Sequence, residues 1–133
     1  MRPRLTLSAV FICLVCLSLP AQGQDLPQPC ADALRQQDPQ LTVDLYGRCL
    51  DTAALSPENQ ARIHSNRGAT FGKLGQYQRA LDELGQAITL KPDAEAFIRR
   101  AVVYQALGRM DEAAADVRRA RKLDPSITVP PGI

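Results

Sequence analysis

Few side chains in this chain of 133 residues are of the types that catalyse reactions or hold metals. There are four cysteines and a single histidine, His64. Cys13 and Cys16 lie within an apolar N-terminal run, which leaves Cys30 and Cys49 for the rest of the chain. Two cysteines and one distant histidine do not supply the ligand spacing of a tetrahedral zinc site. We therefore expect no metal and no other cofactor.

Motifs of known catalytic mechanisms are also missing from the sequence. There is no glycine-rich phosphate loop after a strand and no Gly-x-Ser-x-Gly elbow. Carboxylates adjoin at Asp82-Glu83 and Asp111-Glu112, but neighbouring residues on a helix point in different directions. We expect His64 to be a packing residue, because no partner for catalysis can be found for it. The sequence predicts a protein that is not an enzyme.

The first 23 residues have the pattern of a secretory signal. Arg2 and Arg4 precede an apolar run over residues 5–19, and Ala21-Gln22-Gly23 supplies small residues for cleavage near Gly23. The run is shorter than the ~20 apolar residues that a spanning helix needs. We predict a signal peptide over residues 1–23 and a periplasmic or secreted protein, with an uncleaved single-pass membrane anchor as the alternative.

Charge excludes one class of partner. Removing residues 1–23 takes away two of the 16 basic residues and none of the 14 acidic ones, so the mature chain is neutral. A dedicated nucleic-acid-binding protein usually carries a strongly basic patch. We therefore expect no nucleic acid, and membrane contact only if the N-terminal segment is retained.

Cys30 and Cys49 are the cysteines that would remain in an exported chain. In an oxidising compartment such a pair most simply forms one disulfide. The alternative is two separate, buried, small apolar side chains. The disulfide is favoured, and in the chain-entropy model it would stabilise the fold by about 3 kcal/mol.

The body of the chain repeats with a period of 33 residues. Equivalent pairs include two glycines, two prolines and several alanines: Gly75 and Gly108, Pro92 and Pro125, Ala80 and Ala113, Ala87 and Ala120. A constant register at such a period indicates a repeat architecture. Apolar spacing of three and four residues predicts two helices in each period, over residues 62–73 and 77–90, then 95–107 and 110–123.

These units resemble the tetratricopeptide repeat, a helix–turn–helix unit of 34 residues. The matching residues are Gly68, Phe71, Gly75, Tyr77, Ala80, Ala87 and Pro92, and then Phe97, Ala101, Tyr104, Gly108, Ala113, Ala120 and Pro125. His64 and Met110 stand where the family usually has aromatic residues. The resemblance implies an all-α solenoid with two full units, 61–93 and 94–125. A truncated N-terminal unit, 24–60, precedes them, and an extended tail, 126–133, follows.

In this family the first helices of successive units line a concave groove that binds peptides. The resemblance assigns the groove to Arg62, Ser65, Asn66, Ala69, Gly72 and Lys73, and to Glu95, Ile98, Arg99, Val102, Gln105 and Ala106. Three bases and one acid give a mildly positive lining, which favours an acidic or extended segment. Asn66 and Arg99 match positions that hold a terminal carboxylate in chaperone-binding members, but Glu95 replaces the Lys that a full clamp needs. The other reading is a solvated helix face.

Charged residues also recur in the two repeats. Arg67 and Arg100 recur at one repeat position, and Glu83 and Asp116 at another. Arginine–carboxylate pairs bridging the helices are favoured over a row of ligand-binding residues.

The chain has no room for a capping helix after Pro125. Either the tail folds back over the last helix or another chain covers that surface, as in a homo-oligomer joined at the C-terminal end.

We predict an adaptor or scaffold of the bacterial periplasm or cell envelope that binds a peptide segment or partner protein in its groove. The bacterial location follows from a looser likeness to small exported proteins with a cysteine-containing segment before such repeats. The alternative is a structural role, as a self-associating module or a membrane-anchored subunit of an envelope assembly.

Overall fold

The computed structural model describes residues 27–52 and 54–133. Within these residues the chain forms six α-helices and no strands. The helices are α1 (Gln28–Arg35), α2 (Pro39–Thr52), α3 (Pro57–Lys73), α4 (Tyr77–Leu90), α5 (Ala94–Ala106) and α6 (Met110–Leu123). The prediction of an all-α solenoid of helix–turn–helix units is confirmed.

Local sequence explains where the helices of the two full units begin and end. Ser56 and Asp93 cap α3 and α5, accepting hydrogen bonds from the Asn59 and Ala96 amides at 3.3 and 3.2 Å. The turns within each unit contain Gly75 and Gly108, both at φ 71°, a conformation that glycine adopts without strain. α4 and α6 have the predicted bounds, whereas α3 begins earlier than residue 62 because Ser56-Pro57 caps it.

Helices pack in sequential order, each against the next, and the core consists of three clusters. One lies in the N-terminal unit, one between α3 and α4 with contributions from α2 and α5, and one between α5 and α6. Gly68 is a point of closest approach, because a methyl group there would lie 2.8 Å from Leu84 Cγ and 3.2 Å from the Ala80 carbonyl oxygen. The small residue therefore lets α3 and α4 meet.

The repeated arginines bridge the two helices of each unit, as the structural reading predicted. Arg100 donates two hydrogen bonds to the fully buried Asp116, from Nε at 2.6 Å and from Nη2 at 2.9 Å. In the first unit Arg67 and His64 share Glu83, each bonding a different carboxylate oxygen. His64 therefore helps to hold α3 against α4 through its hydrogen bond with Glu83.

The C-terminal tail folds back onto the last pair of helices. Ile127, Val129 and Ile133 pack against the cluster formed by α5 and α6. The Gln105 amide also reaches the Pro131 carbonyl oxygen, at 3.4 Å. Of the two predicted ways to cover this surface, the structure shows the intramolecular one.

Cys30 and Cys49 lie together in the N-terminal unit. Both are completely buried, their Cα atoms are 4.9 Å apart and their sulfur atoms are at bonding distance. The predicted signal peptide, with Cys13 and Cys16, lies outside the described residues. No helix within residues 27–52 and 54–133 combines the length and the apolar character needed to cross a membrane.

Candidate functional site

A pocket of about 360 Å³ opens between the N-terminal halves of α3 and α5. The end of α4 and the loop after it close one side. Eleven residues line the pocket: Glu58, Ala61, Arg62, Ser65, Asn66, Ala87, Lys91, Asp93, Glu95, Ala96 and Arg99. Since α3 and α5 are the first helices of their units, the pocket lies on the surface that the resemblance assigned to ligand binding.

Five of the predicted groove residues line this pocket: Arg62, Ser65, Asn66, Glu95 and Arg99. Ala69, Gly72 and Lys73 lie one to two turns further along α3, and Val102 and Ala106 continue along α5, where both are exposed. These residues extend the surface beyond the pocket but do not line it.

Ile98 and Gln105 have other contacts. Ile98 is only 8% exposed and belongs to the cluster between α5 and α6. Gln105 contacts the C-terminal tail. Neither side chain therefore lines the pocket. The repeat position alone predicts neither the contact of Gln105 with the tail nor how deeply Ile98 is packed.

Three neighbouring side chains hold the Arg99 guanidinium in the pocket. Its Nη1 donates to Asn66 Oδ1 at 2.7 Å and to Ser65 Oγ at 3.1 Å, and its Nη2 donates to Glu95. These partners come from two successive units, so the guanidinium is held at the junction between α3 and α5. A held guanidinium presents its remaining donors in a fixed plane, which suits a carboxylate ligand.

Tyr46 of α2 is a buried titratable residue of the N-terminal unit. It is 5% exposed, and burial raises its pKa, against the opposing effect of the positive charge of Arg99.

The pocket is balanced in charge. Its three basic residues are Arg62, Lys91 and Arg99, and its three acidic residues are Glu58, Asp93 and Glu95. The predicted mildly positive lining counted Lys73, which lies outside the pocket, and omitted Lys91, Glu58 and Asp93. Local groups therefore neutralise much of the expected positive field.

Ion pairs occupy most of these charges. Lys91, which follows α4, donates a hydrogen bond to Glu58 near the start of α3, and this bond lowers the pKa of Glu58. Asp93 caps α5. Among the described residues Arg62 forms no salt bridge and is exposed, and its charge lies near enough to Glu58 to help lower the pKa of that carboxyl. Arg62 is therefore the lining cation that a ligand can engage without first breaking a salt bridge.

Sequence reasoning missed Glu58, Lys91 and Asp93 as parts of the site. The 33-residue register held a signal for two of them. Asn66 and Arg99 are equivalent positions of successive units, and so are Glu58 and Lys91. Since stacked units bring equivalent positions together, the register pairs Glu58 with Lys91 as directly as it pairs Asn66 with Arg99.

Metal-ligating types do not converge here. In the described part of the chain, no group of three or more His, Cys, Asp or Glu side chains is arranged to hold a metal ion. What the pocket offers is hydrogen-bond donors, paired charges and a free cation, which are the means of binding a polar or charged chain segment.

Two family models, both described as tetratricopeptide repeat, match consecutive parts of the chain. One matches residues 61–93 and the other residues 94–127, so that together they cover half of the chain. The chain belongs to the tetratricopeptide repeat family.

Curated relatives share these repeats. Human tetratricopeptide repeat protein 13 is 34% identical over 97 residues, which is 68% of this chain and 9% of the relative. The Hsp70-Hsp90 organizing protein of Triticum aestivum is 35% identical over 81 residues, 60% of this chain and 14% of the relative. The chain therefore spans less than a fifth of the length of either relative.

Solved structures share the fold. The Arabidopsis OM64 TPR domain superposes with a TM-score of 0.67 at 25% identity, covering 77% of this chain and 83% of that domain. The second TPR of Spaghetti (RPAP3), bound to the HSP90 peptide SRMEEVD, gives a TM-score of 0.64 at 24% identity, covering 73% and 84%.

The family assignment also supports the prediction of a non-enzymatic protein. Repeats of this kind stack into extended concave surfaces that bind other molecules. The described repeats therefore form a binding module.

Proposed function

We propose that the protein is an adaptor that holds an acidic, extended segment of a partner protein in the groove between α3 and α5. The observation that carries this proposal is the Arg99 guanidinium, held by Asn66, Ser65 and Glu95 beside the unpaired Arg62. The two cations face one pocket and can bind carboxylates of a single peptide. The similar Spaghetti repeat binds an acidic peptide.

Binding to the peptide SRMEEVD tests this proposal directly. We expect fluorescence anisotropy to show binding of the dye-labelled peptide and weaker binding of a version with both glutamates changed to lysine. Arg62→Glu should weaken binding by about tenfold or more, since a hydrogen bond to a charged group contributes about 1.5–3 kcal/mol. Arg121→Glu is the matched control, because Arg121 is exposed on α6, outside the pocket.

Equal affinity of the two peptides, or equal losses in the two variants, would contradict recognition of acidic groups in this pocket. The same comparison separates a terminal-carboxylate site from a side-chain site. If an amidated SRMEEVD binds as well as the free acid, the pocket recognises the glutamate side chains. Because Glu95 stands beside Arg99, we expect amidation to have little effect.

The natural partner can be sought in the envelope, where we propose that the protein works. The proposed location is the bacterial periplasm, supported by the signal-like residues 1–23 and by a cysteine pair suited to an oxidising compartment. Affinity capture from envelope extract should retain a partner on the mature chain and lose it on a variant with Arg62, Lys73 and Arg99 changed to Glu. Identical partners on both would move recognition to another face.

Export and oxidation have their own measurements. Mass spectrometry of protein from the native host should find an N-terminus near Gln24, whereas an intact Met1 would indicate the membrane-anchored alternative. We propose that Cys30 and Cys49 are joined in the working protein. Alkylation of the denatured chain without reductant should then leave both unmodified, and modification of both would refute the crosslink.

A further inference from the structure

Glu95 occupies the part of the Arg99 guanidinium that a ligand carboxylate would need. Nη1 of Arg99 donates to Asn66 Oδ1 at 2.7 Å and to Ser65 Oγ at 3.1 Å, which uses both of its N–H groups. The other donors of the guanidinium are on Nη2 and Nε, and Nη2 already donates to Glu95. A carboxylate that binds Arg99 through two hydrogen bonds must therefore use the nitrogen that Glu95 occupies.

Arg100 shows such a two-point contact in the same helix. Its Nε and Nη2 donate to the two carboxylate oxygens of Asp116, at 2.6 and 2.9 Å. Glu95, by contrast, accepts from Arg99 through Nη2 and a single oxygen. Because a two-point contact is stronger than a one-point contact, a ligand carboxylate that bound Arg99 as Asp116 binds Arg100 would displace Glu95.

Exposure makes this displacement possible. The Glu95 side chain is 62% exposed, whereas that of Asp116 is fully buried. An exposed ion pair four residues apart on a helix contributes little to stability. When Glu95 turns away, Asn66 and Ser65 still hold Arg99 through Nη1. The guanidinium can therefore exchange one carboxylate for another without losing its orientation.

We propose that Glu95 is an intramolecular competitor, which occupies Arg99 in the free protein and is displaced when an acidic ligand binds. Because each binding event breaks the pair of Glu95 and Arg99, Glu95 sets the affinity of the groove below that of a free guanidinium. This inference rests on the proposed function, since it concerns how strongly the same pocket binds an acidic segment.

Removing the Glu95 carboxylate tests the competition. We expect Glu95→Ala to bind SRMEEVD about two- to fivefold more tightly in fluorescence anisotropy, because the ligand no longer has to break an exposed ion pair. Glu112→Ala is the matched control. Glu112 also lies in the first turn of its helix and pairs with an arginine, Arg109, but it is outside the pocket. This variant has the same change in charge and should bind like the wild type.

The same substitution in an Arg99→Gln background separates displacement from simple charge repulsion. If Glu95 competes for Arg99, Glu95→Ala should raise affinity much less in this background. An equal gain in both backgrounds would overturn the proposal, because Glu95 would then only repel the peptide. In urea unfolding, the two alanine variants should lose similar, small amounts of stability. A much larger loss for Glu95→Ala would also overturn it, because the pair would then hold the fold.

Binding by the wild type separates this proposal from the proposed function. If the wild type and Glu95→Ala bind SRMEEVD equally, the competition is refuted and the proposed function stands. If neither binds, the proposed function fails and the competition fails with it. If Glu95→Ala binds and the wild type does not, the competition is supported and the wild-type groove does not recognise this peptide.

Discussion

A single methyl group added at Gly68 should destabilise the protein, although the same change normally stabilises a helix. Gly68 lies inside α3, where alanine is favoured over glycine by about 1 kcal/mol. At this position, however, the new methyl would lie 2.8 Å from Cγ of the fully buried Leu84 and 3.2 Å from a backbone oxygen of α4. Neither neighbour is the free end of a flexible side chain, so the helices must separate.

The size of the effect follows from these opposing contributions. Overpacking a core usually costs about 1–3 kcal/mol, which offsets or exceeds the propensity gain of about 1 kcal/mol. We expect Gly68→Ala to lower the free energy of unfolding by up to about 2 kcal/mol. Gly85→Ala is the matched control, because nothing lies within 4 Å of its added methyl. It should raise stability by about 0.5–1 kcal/mol.

Urea unfolding followed by circular dichroism measures both variants against the wild type. The decisive quantity is the difference between the variants, expected to be about 0.5–3 kcal/mol in favour of Gly85→Ala. Equal stabilisation of both would refute the packing argument, since it would mean that α3 and α4 do not meet at Gly68. In the second unit Ala101 occupies the equivalent position and is fully buried, so its helices already accommodate that methyl.

Four further predictions follow from the same contacts. Asp116→Ala should cost about 1–3 kcal/mol in urea unfolding, because the partly buried Arg100 loses both of its hydrogen bonds to Asp116, whereas alanine at the exposed Asp111 should cost under about 0.5 kcal/mol. Hydrogen bonds from His64 and Arg67 outweigh burial and lower the pKa of Glu83 below 4.5. The contribution of Glu83 to the free energy of unfolding is therefore complete above that pH and is lost as the pH falls through the lowered pKa. Glu83→Gln should lack this acid-dependent loss of stability. Cys49→Ser should cost about 3 kcal/mol in non-reducing urea unfolding, with no further loss on adding reductant. Deleting residues 126–133 should uncover the apolar cluster of α5 and α6 and raise the mass measured by light scattering, and an unchanged monomer mass would count against that role for the tail.

Much of the fold could be predicted because its strongest constraints are local. The bounds of α4 and α6 follow from Gly75 and Gly108, which adopt positive φ in the turns, and from the apolar spacing after them. The N-terminal boundary of α3 was set too late because residues 57–61 have little apolar periodicity. There the capping serine and the proline that follows it, and not periodicity, determine where the helix begins.

The site was predicted less completely, because knowing which residues lie on the concave side does not give the net charge of the pocket. The resemblance to the repeat family places Arg62, Asn66 and Arg99 on the concave side, but it does not show which other charges the fold brings to them. Lys91 belongs to no groove position, since it follows α4, yet it closes the pocket by bonding Glu58. The pair adds no net charge to the pocket. The lining is balanced and not positive because Asp93 lines the pocket and Lys73 does not. Selectivity of such a groove therefore depends on which cations remain unpaired after stacking, and Arg62 is the residue where we expect recognition to begin.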